Sequence, residues 1–424
     1  MFSCTHCDAQ SPKWAGRCAE CGQWGTLVDE GETVNTSAKK STVAAAPVLR
    51  LSEASILNVH HVPTGIVEFD RVLGGGIVPG SVTLLAGEPG IGKSTLVAQL
   101  AQSVGKSVYY ASGEESEGQI KLRLSRLGIA PERISFSNTV DVLAVIAAAE
   151  KLKPDLVIVD SIQTMLTSGV ESLPGSPTAV KAATAELISY AKRSSVPVLI
   201  IGQITKEGAV AGPKTLEHLV DTVLTLEGDP QSAYRLLRAS KHRFGSTDEV
   251  GVLEMTEKGL ITVDNPSARF LDERVPGAGS VVTCIMEGAR PFLVEIQALV
   301  EKTYFANPVR RTSGIDAGRL QMLIAIVSKR TGLPLHDKDI FVNVVGGMKI
   351  REHAADLAIA CAIVSAANNV ALPSDAVVIG ELGLGGEVRS VSFLDRRLKE
   401  ADRLGLKKSF TPKTVRNLGE ISKM

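Results

Sequence analysis

Residues 82–95 read Val82-Thr83-Leu84-Leu85-Ala86-Gly87-Glu88-Pro89-Gly90-Ile91-Gly92-Lys93-Ser94-Thr95, an apolar run of strand character, a glycine-rich turn and then a helical stretch. The spacing of Gly87, Gly92, Lys93 and Ser94 is that of a phosphate-binding loop, and a preceding strand and a following helix are the context that motif requires. Glycines let backbone N–H groups and the helix N-terminus face the phosphates. Lys93 then reaches the β- and γ-phosphates, and Ser94 is the expected Mg²⁺ ligand, so ATP with Mg²⁺ is the expected cofactor pair.

Similar β-branched runs recur on both sides of this loop, alternating with helical patterns from about Leu51 to Asp264: Ser81–Ala86, Val108–Ala111, Leu156–Asp160, Val198–Ile201 and Thr222–Glu227. The alternation predicts an α/β core with a mostly parallel sheet covered by helices on both faces. Ligands of such folds bind at the carboxyl edge of the strands. Asp160, ending one run, is therefore expected near the metal. Ala111-Ser-Gly-Glu114-Glu115 brings an acid able to orient the attacking water, and Gln203 an amide able to sense the γ-phosphate. Glu115 and Glu117 read as a solvated helix start.

The flanks are of different character. Cys4-x-x-Cys7 and Cys18-x-x-Cys21 have the paired spacing of a four-thiolate Zn²⁺ site, with His6 a bystander and Trp14 and Trp24 expected to cover the module. Residues 1–28 thus form a small zinc finger, and residues 29–50, rich in Ser, Thr, Ala and Lys, a flexible linker. A Pro/Gly break around residues 265–279 separates a unit at 51–265 from one at 266–424. The latter mixes strands (Val281–Glu287, Phe341–Val345, Ala376–Ile379) with helices (Gly318–Lys329, Ala354–Ala367) and reads as α+β.

Composition excludes several classes. The 424 residues exceed what one core usually supports, and 44% hydrophobic against 22% charged residues is too apolar for a disordered chain. Lys+Arg and Asp+Glu both number 46, so affinity for nucleic acid has to come from local patches. No run approaches the roughly 18 apolar residues of a membrane span, and Cys and His stand where a signal peptide would be apolar. No membrane partner and a cytoplasmic location are expected. Cys284 and Cys361 stand alone in apolar surroundings, which suits a reducing compartment.

Taken in order, Cys4/Cys7/Cys18/Cys21, Gly87–Thr95, Ser112-Gly-Glu-Glu-Ser116, Leu156–Ser161, Gly202-Gln-Ile-Thr-Lys-Glu-Gly208 and Lys241-His-Arg-Phe-Gly245 resemble the RadA (Sms) family of bacterial DNA repair proteins over essentially the whole chain. The resemblance implies a RecA-like core in a hexameric, DnaB-like motor that acts on single-stranded DNA and recombination intermediates and promotes branch migration alongside RecA. It makes Glu114 the catalytic carboxylate, Gln203 the nucleotide-sensing glutamine, and Lys241 and Arg243 the pair that reaches a neighbouring subunit's γ-phosphate. His242 departs from the family, which usually has Asn there. RecA-like folds bind DNA through loops that here span about Thr164–Thr178 and Thr205–Thr215, the second holding Lys206 and Lys214. Aromatic residues are only 4% of the chain, so stacking platforms are scarce and backbone contacts with little sequence preference are expected.

The C-terminal unit resembles the Lon protease domain, in the version found in this family, through Pro266–Leu271, Glu287–Leu299 and Gly380–Val388. Peptide hydrolysis of the Lon type needs a Ser activated by a Lys. Here Ala354 or Ala355 stands at the Ser position, and counting onward gives Asp395, or Arg396 after a one-residue slip, for the Lys. Ser365 lies too deep in the predicted helix to serve. The expected role is a proteolytically inactive platform whose Arg310, Arg311, Lys329, Arg330, Lys349 and Arg351 favour DNA. The rival readings are an ATP-dependent peptidase, disfavoured by the missing dyad, and a KaiC-like regulatory ATPase.

Overall fold

Antiparallel pairing at the N-terminus joins β1 (Phe2–Cys4) to β2 (Gln10–Ser11) on one side and to β3 (Leu27–Asp29) on the other, with Cys4 opposite Leu27. This pairing belongs to the first of two units, residues 1–57 and 58–424. The structure is a computed structural model that describes residues 2–7, 9–29, 61–203, 213–228 and 232–421, so nearly all of the expected linker lies outside the described residues.

In the second unit, six parallel strands form one side of a nine-stranded sheet: β4 (Val82–Gly87), β5 (Val108–Ser112), β6 (Ile134–Asn138), β7 (Leu156–Asp160), β8 (Val198–Gln203) and β9 (Thr222–Glu227). Three antiparallel strands, β10 (Tyr234–His242), β11 (Val250–Thr256) and β12 (Gly259–Thr262), form the other, in the order β12-β11-β10-β9-β4-β8-β7-β5-β6. Successive side chains of a strand face opposite ways. Leu85, Tyr110 and Ile158 accordingly pack under the helices Lys93–Ser103 and Glu117–Arg126, whereas Leu84, Tyr109 and Val157 pack under Val142–Leu152 and Pro177–Ser194. Burial on both faces is why β4, β5, β7, β8 and β9 read as apolar runs, whereas the edge strand β6, only half-buried and polar at Ser135, Ser137 and Asn138, was not foreseen. The antiparallel extension was not foreseen, because β10 carries Arg235, Arg238 and Lys241 and lacks that signature.

A second, mixed sheet has β13 (Ser280–Glu287), β14 (Arg290–Lys302), β15 (Arg310–Ser313), β16 (Lys338–Val344), β17 (Ala376–Val378) and β20 (Lys408–Phe410) in the order β15-β16-β14-β13-β17-β20, beside a small hairpin of β18 (Glu381–Leu382) and β19 (Val388–Arg389). The helix Asp356–Asn368 is buried from Asp356 through Ser365 and lies at the centre of this core, which explains a sequence apolar on all sides. It starts later than expected, after a 3-10 turn at His353–Ala355.

The turn Glu287-Gly288-Ala289-Arg290 joins the two sheets. The Ala289 N–H donates to the Asp248 carbonyl at 2.7 Å, and a Cβ on Gly288 (φ +61°) would stand 2.0 Å from that oxygen. Arg290 reaches the buried Glu68 at 2.6 Å, and Glu68 also accepts from the Val252 N–H at 2.7 Å. A carboxylate that deep is tolerable only when fully partnered.

Candidate functional site

The carboxyl edge of the parallel sheet gathers the predicted nucleotide residues. Register puts Gly87 beside Gln203 and Ser112 beside Asp160, so the segments that follow β4, β5, β7 and β8 converge there. Gly90 (φ +76°) and Gly92 (φ +113°) make the turn, and the helix begins at Lys93. A side chain at Gly87 would meet the Leu226 carbonyl at 2.7 Å, so packing requires glycine there, and backbone angle requires it at Gly90 and Gly92.

Lys93 is only 7% exposed, and its ammonium donates to the Gly87 and Glu88 carbonyls at 2.9 Å each. Burial lowers its pKa, opposed by the charges of Asp160 and Glu114. Asp160 is raised by burial and by the neighbouring Glu114, against hydrogen bonds from Tyr110 and Ser94. The Tyr110 hydroxyl donates to Asp160 Oδ2 at 2.6 Å, and burial together with Asp160 holds that phenol well above its ordinary value. Two carboxylates facing one lysine leave the edge with excess negative charge where Ser94 and Asp160 meet. A hydroxyl and a carboxylate in contact form the donor set for Mg²⁺. The residues therefore fit Mg²⁺ with a nucleotide whose phosphates lie on Lys93 and the glycine-rich turn.

Glu114 accepts from the Ser161 hydroxyl and from Gln203 Nε2, the latter at 3.4 Å, so acid and amide adjoin one another. Ser161 and Tyr110 were missed as supports of the two acids, since one hydroxyl inside an apolar run carries no signal of its partner. Gly113 is fixed by space: a Cβ there would stand 2.3 Å from the Thr164 hydroxyl. The expectation of a solvated Glu115 is corrected, because Glu115 is bound to Arg123, one helical turn and more along the next helix; Glu117 is exposed at that helix's start.

Lys241 and Arg243 lie elsewhere. His242 pairs with Thr222, which pairs with Thr83, so this segment sits at the amino edge, opposite the phosphate loop. Thr83 and Gly87 are four residues apart, about 13 Å along the strand. Lys241 Nζ donates to the Glu217 and Val220 carbonyls at 2.6 and 2.8 Å, and burial lowers its pKa. Half-exposed Arg243 pairs with Asp221 at 2.9 Å. His242 Nε2 donates to the Leu73 carbonyl at 3.3 Å, so Nδ1 accepts from the Thr222 hydroxyl at 3.0 Å; burial lowers its pKa and favours this neutral form. A Cβ at Gly245 would stand 2.9 Å from the ring.

Of the expected DNA-contacting residues, Lys206 lies outside the described residues, as does the Lys214 side chain; the Lys214 backbone belongs to the short helix Pro213–Leu216. Arg310 and Arg311 are both exposed on the edge strand β15. As strand neighbours they point to opposite faces of it. Arg311 lines a hollow of about 540 Å³ over Leu299, Phe341 and Asn343.

In the N-terminal unit the four cysteine sulfurs lie within 4.8 Å of one another, with Cys4 and Cys21 3.7 Å apart and Cys7 and Cys18 3.6 Å apart. Zinc–sulfur bonds of about 2.3 Å in a tetrahedron set the sulfurs about 3.8 Å apart. The four thiols thus fit Zn²⁺. The expectation that Trp14 and Trp24 cover the module is overturned, for they are 63% and 74% exposed. The buried residues are Cys4, Cys18 and Leu27, with Phe2, Ala9 and Cys21 packed against them.

Residues 62–152 match the KaiC ATPase family, residues 2–29 a rubredoxin metal-binding domain, and residues 319–415 the ChlI subunit of Mg-chelatase. DNA repair protein RadA of Pseudomonas aeruginosa is 46% identical, covering 97% of this chain and 92% of its own. The RadA proteins of Aquifex aeolicus and Bacillus subtilis are each 45% identical, over 98% and 97% of this chain and 93% and 92% of theirs. Among solved structures, that of the RadB recombinase is 26% identical, covering 48% of this chain and 100% of its own with a TM-score of 0.39. Among the described residues no helix is long and apolar enough to cross a membrane. With relatives at this identity aligned over nearly their whole length, the chain belongs to the RadA family of DNA repair proteins, with ATP, Mg²⁺ and Zn²⁺ as its cofactors.

Proposed function

We propose that this P-loop ATPase is a DNA-stimulated motor of the helicase type, acting as a hexamer on single-stranded DNA and recombination intermediates and promoting branch migration with RecA in the cytoplasm, at the nucleoid. Residues 51–265 form the motor and residues 266–424 the Lon-protease-like platform. Lys93 neutralises phosphate charge, Glu114 orients the attacking water, and Gln203 senses the γ-phosphate beside it. Ser94 and Asp160 would hold Mg²⁺, which would supply charge stabilisation to the phosphates.

The observation that carries the reading is the separation of the phosphate loop from Lys241 and Arg243 on opposite edges of one sheet. They cannot meet within one subunit. In a head-to-tail ring one subunit's amino edge can face its neighbour's carboxyl edge, and the two cations then complete the neighbour's site. Hydrolysis should rise severalfold when single-stranded DNA is added to the full-length protein. Turnover indifferent to DNA of every length would favour the regulatory ATPase instead.

The Lon-like part has no peptidase activity on this reading. Residues 351–356 hold no hydroxyl, and Ser365 is buried, accepting from the Gly279 N–H at 2.8 Å and donating to the Val370 carbonyl. Asp395 is exposed. The cation that does reach inward is Arg397, 1% exposed and bound by two 2.6 Å contacts to Glu352. A guanidinium so paired cannot serve as a general base. ATP-dependent casein degradation that survives rigorous repurification would refute this. DNA contacts fall to Lys206, Lys214, Arg310 and Arg311 with Lys349. Reversing Arg310, Arg311 and Lys349 to Glu should weaken DNA binding at least about 10-fold and flatten its salt dependence. Unchanged affinity would remove these residues from the interface.

A further inference from the structure

A phosphate loop binds anions through N–H groups that turn toward them, and the peptide between Ile91 and Gly92 is held from behind. Arg235, on β10, donates from Nε to the Ile91 carbonyl at 3.2 Å across 144 residues of sequence. The side chain is 7% exposed, at a strand position whose neighbours on the same face are Leu237 and Ala239. Its Nη1 donates to the Ser232 and Tyr234 carbonyls at 2.5 and 2.8 Å, so the guanidinium has a fixed seat. Gly228 makes room for it, since a Cβ there would stand 2.7 Å from Arg235 Cδ. In a trans peptide the N–H points opposite to the carbonyl. With the Ile91 carbonyl pinned toward Arg235, the Gly92 N–H is directed away from it.

We propose that Arg235 is a positioning residue of the nucleotide site: it fixes the Ile91–Gly92 peptide so that the Gly92 N–H faces the β-phosphate before nucleotide arrives. A buried, charged donor suits the task, because hydrogen bonds from ionised groups are the stronger ones and a planar fork is pre-organised. Position 235 could hold an aliphatic residue like Leu237 if packing were all that was required. The inference rests on the glycine-rich turn being the nucleotide site.

The test compares AMP and ADP as competitors of a fluorescent ADP analogue on full-length protein, with the nucleotide-free melting temperature followed alongside. AMP lacks the β-phosphate and cannot use the cradle. Arg235→Met should weaken ADP about 10-fold or more and leave AMP unchanged, so that the preference for ADP collapses. Arg235→Lys, able to reach one carbonyl but not all three, should lose part of that preference. A merely structural role would lower the melting temperature and preserve the ADP-to-AMP ratio. The ratio of Arg235→Lys decides the matter should the Met variant fail to fold. A wild-type ratio in both variants, when Lys93→Ala abolishes it, overturns the inference alone. A ratio unaffected by Lys93→Ala overturns the nucleotide site and the inference together.

Discussion

Lys93→Ala is expected to lower ATP hydrolysis by at least about 10²-fold, the loss that follows removal of one positioned stabiliser of developing charge in a water-poor site. The ammonium is buried and bound to the loop's own Gly87 and Glu88 carbonyls. It has only to exchange those for phosphate oxygens. Arg243→Ala and Lys241→Ala should stop turnover to a similar degree while nucleotide affinity stays within about 3-fold, since both residues lie on the edge away from the loop. The consequence is complementation. In a ring assembled at random from Lys93→Ala and Arg243→Ala subunits, about a quarter of the interfaces pair an intact loop with an intact Arg243, and activity should return in that proportion. The measurement is steady-state hydrolysis after subunit exchange has been demonstrated. No recovery would end the assignment of the pair to a neighbouring subunit.

Replacing Cys4 and Cys7 together by Ser should abolish zinc binding and unfold the N-terminal unit. The buried residues of this module are Cys4, Cys18 and Leu27, with Phe2, Ala9 and Cys21 packed against them, three of the six being ligands, and both tryptophans are exposed. So small a core cannot offset chain entropy. Structural zinc contributes about 10–16 kcal/mol to folding of comparable sites. Metal analysis should find one zinc per chain in the wild type and none in the double variant, with residues 2–29 becoming protease-sensitive. Zinc absent from freshly purified protein, or retained by the double variant, would contradict the site.

The contiguous motifs were legible because their geometry is local. The run from Val82 to Thr95 specifies strand, turn and helix through neighbouring φ angles, and paired cysteines three residues apart turn their own sulfurs together. The central parallel strands were legible because burial on both faces makes every residue apolar, leaving little ambiguity about where Leu156–Asp160 could lie. The acids Asp160 and Glu114 followed, since strand ends in such a sheet share one edge. Strand β10 was hidden because Arg235, Arg238 and Lys241 interrupt any apolar run.

Chain sequence by itself determined the phosphate loop, the four-thiolate centre, the two kinds of architecture and the family. Tertiary structure decided what depends on register and on contacts between distant residues. It put Lys241 and Arg243 on the edge opposite the loop, drew Arg235 to Ile91, joined Arg290 to Glu68 over 222 residues, sent Arg397 into Glu352, and left Trp14 and Trp24 exposed. The physical reason is that a motif of neighbours carries its geometry in its own backbone. An ion pair or a hydrogen bond between segments exists only once the fold has fixed which segment lies beside which, and for the strand residues Arg235, Lys241 and Arg290 one residue of slip would turn the side chain to the other face.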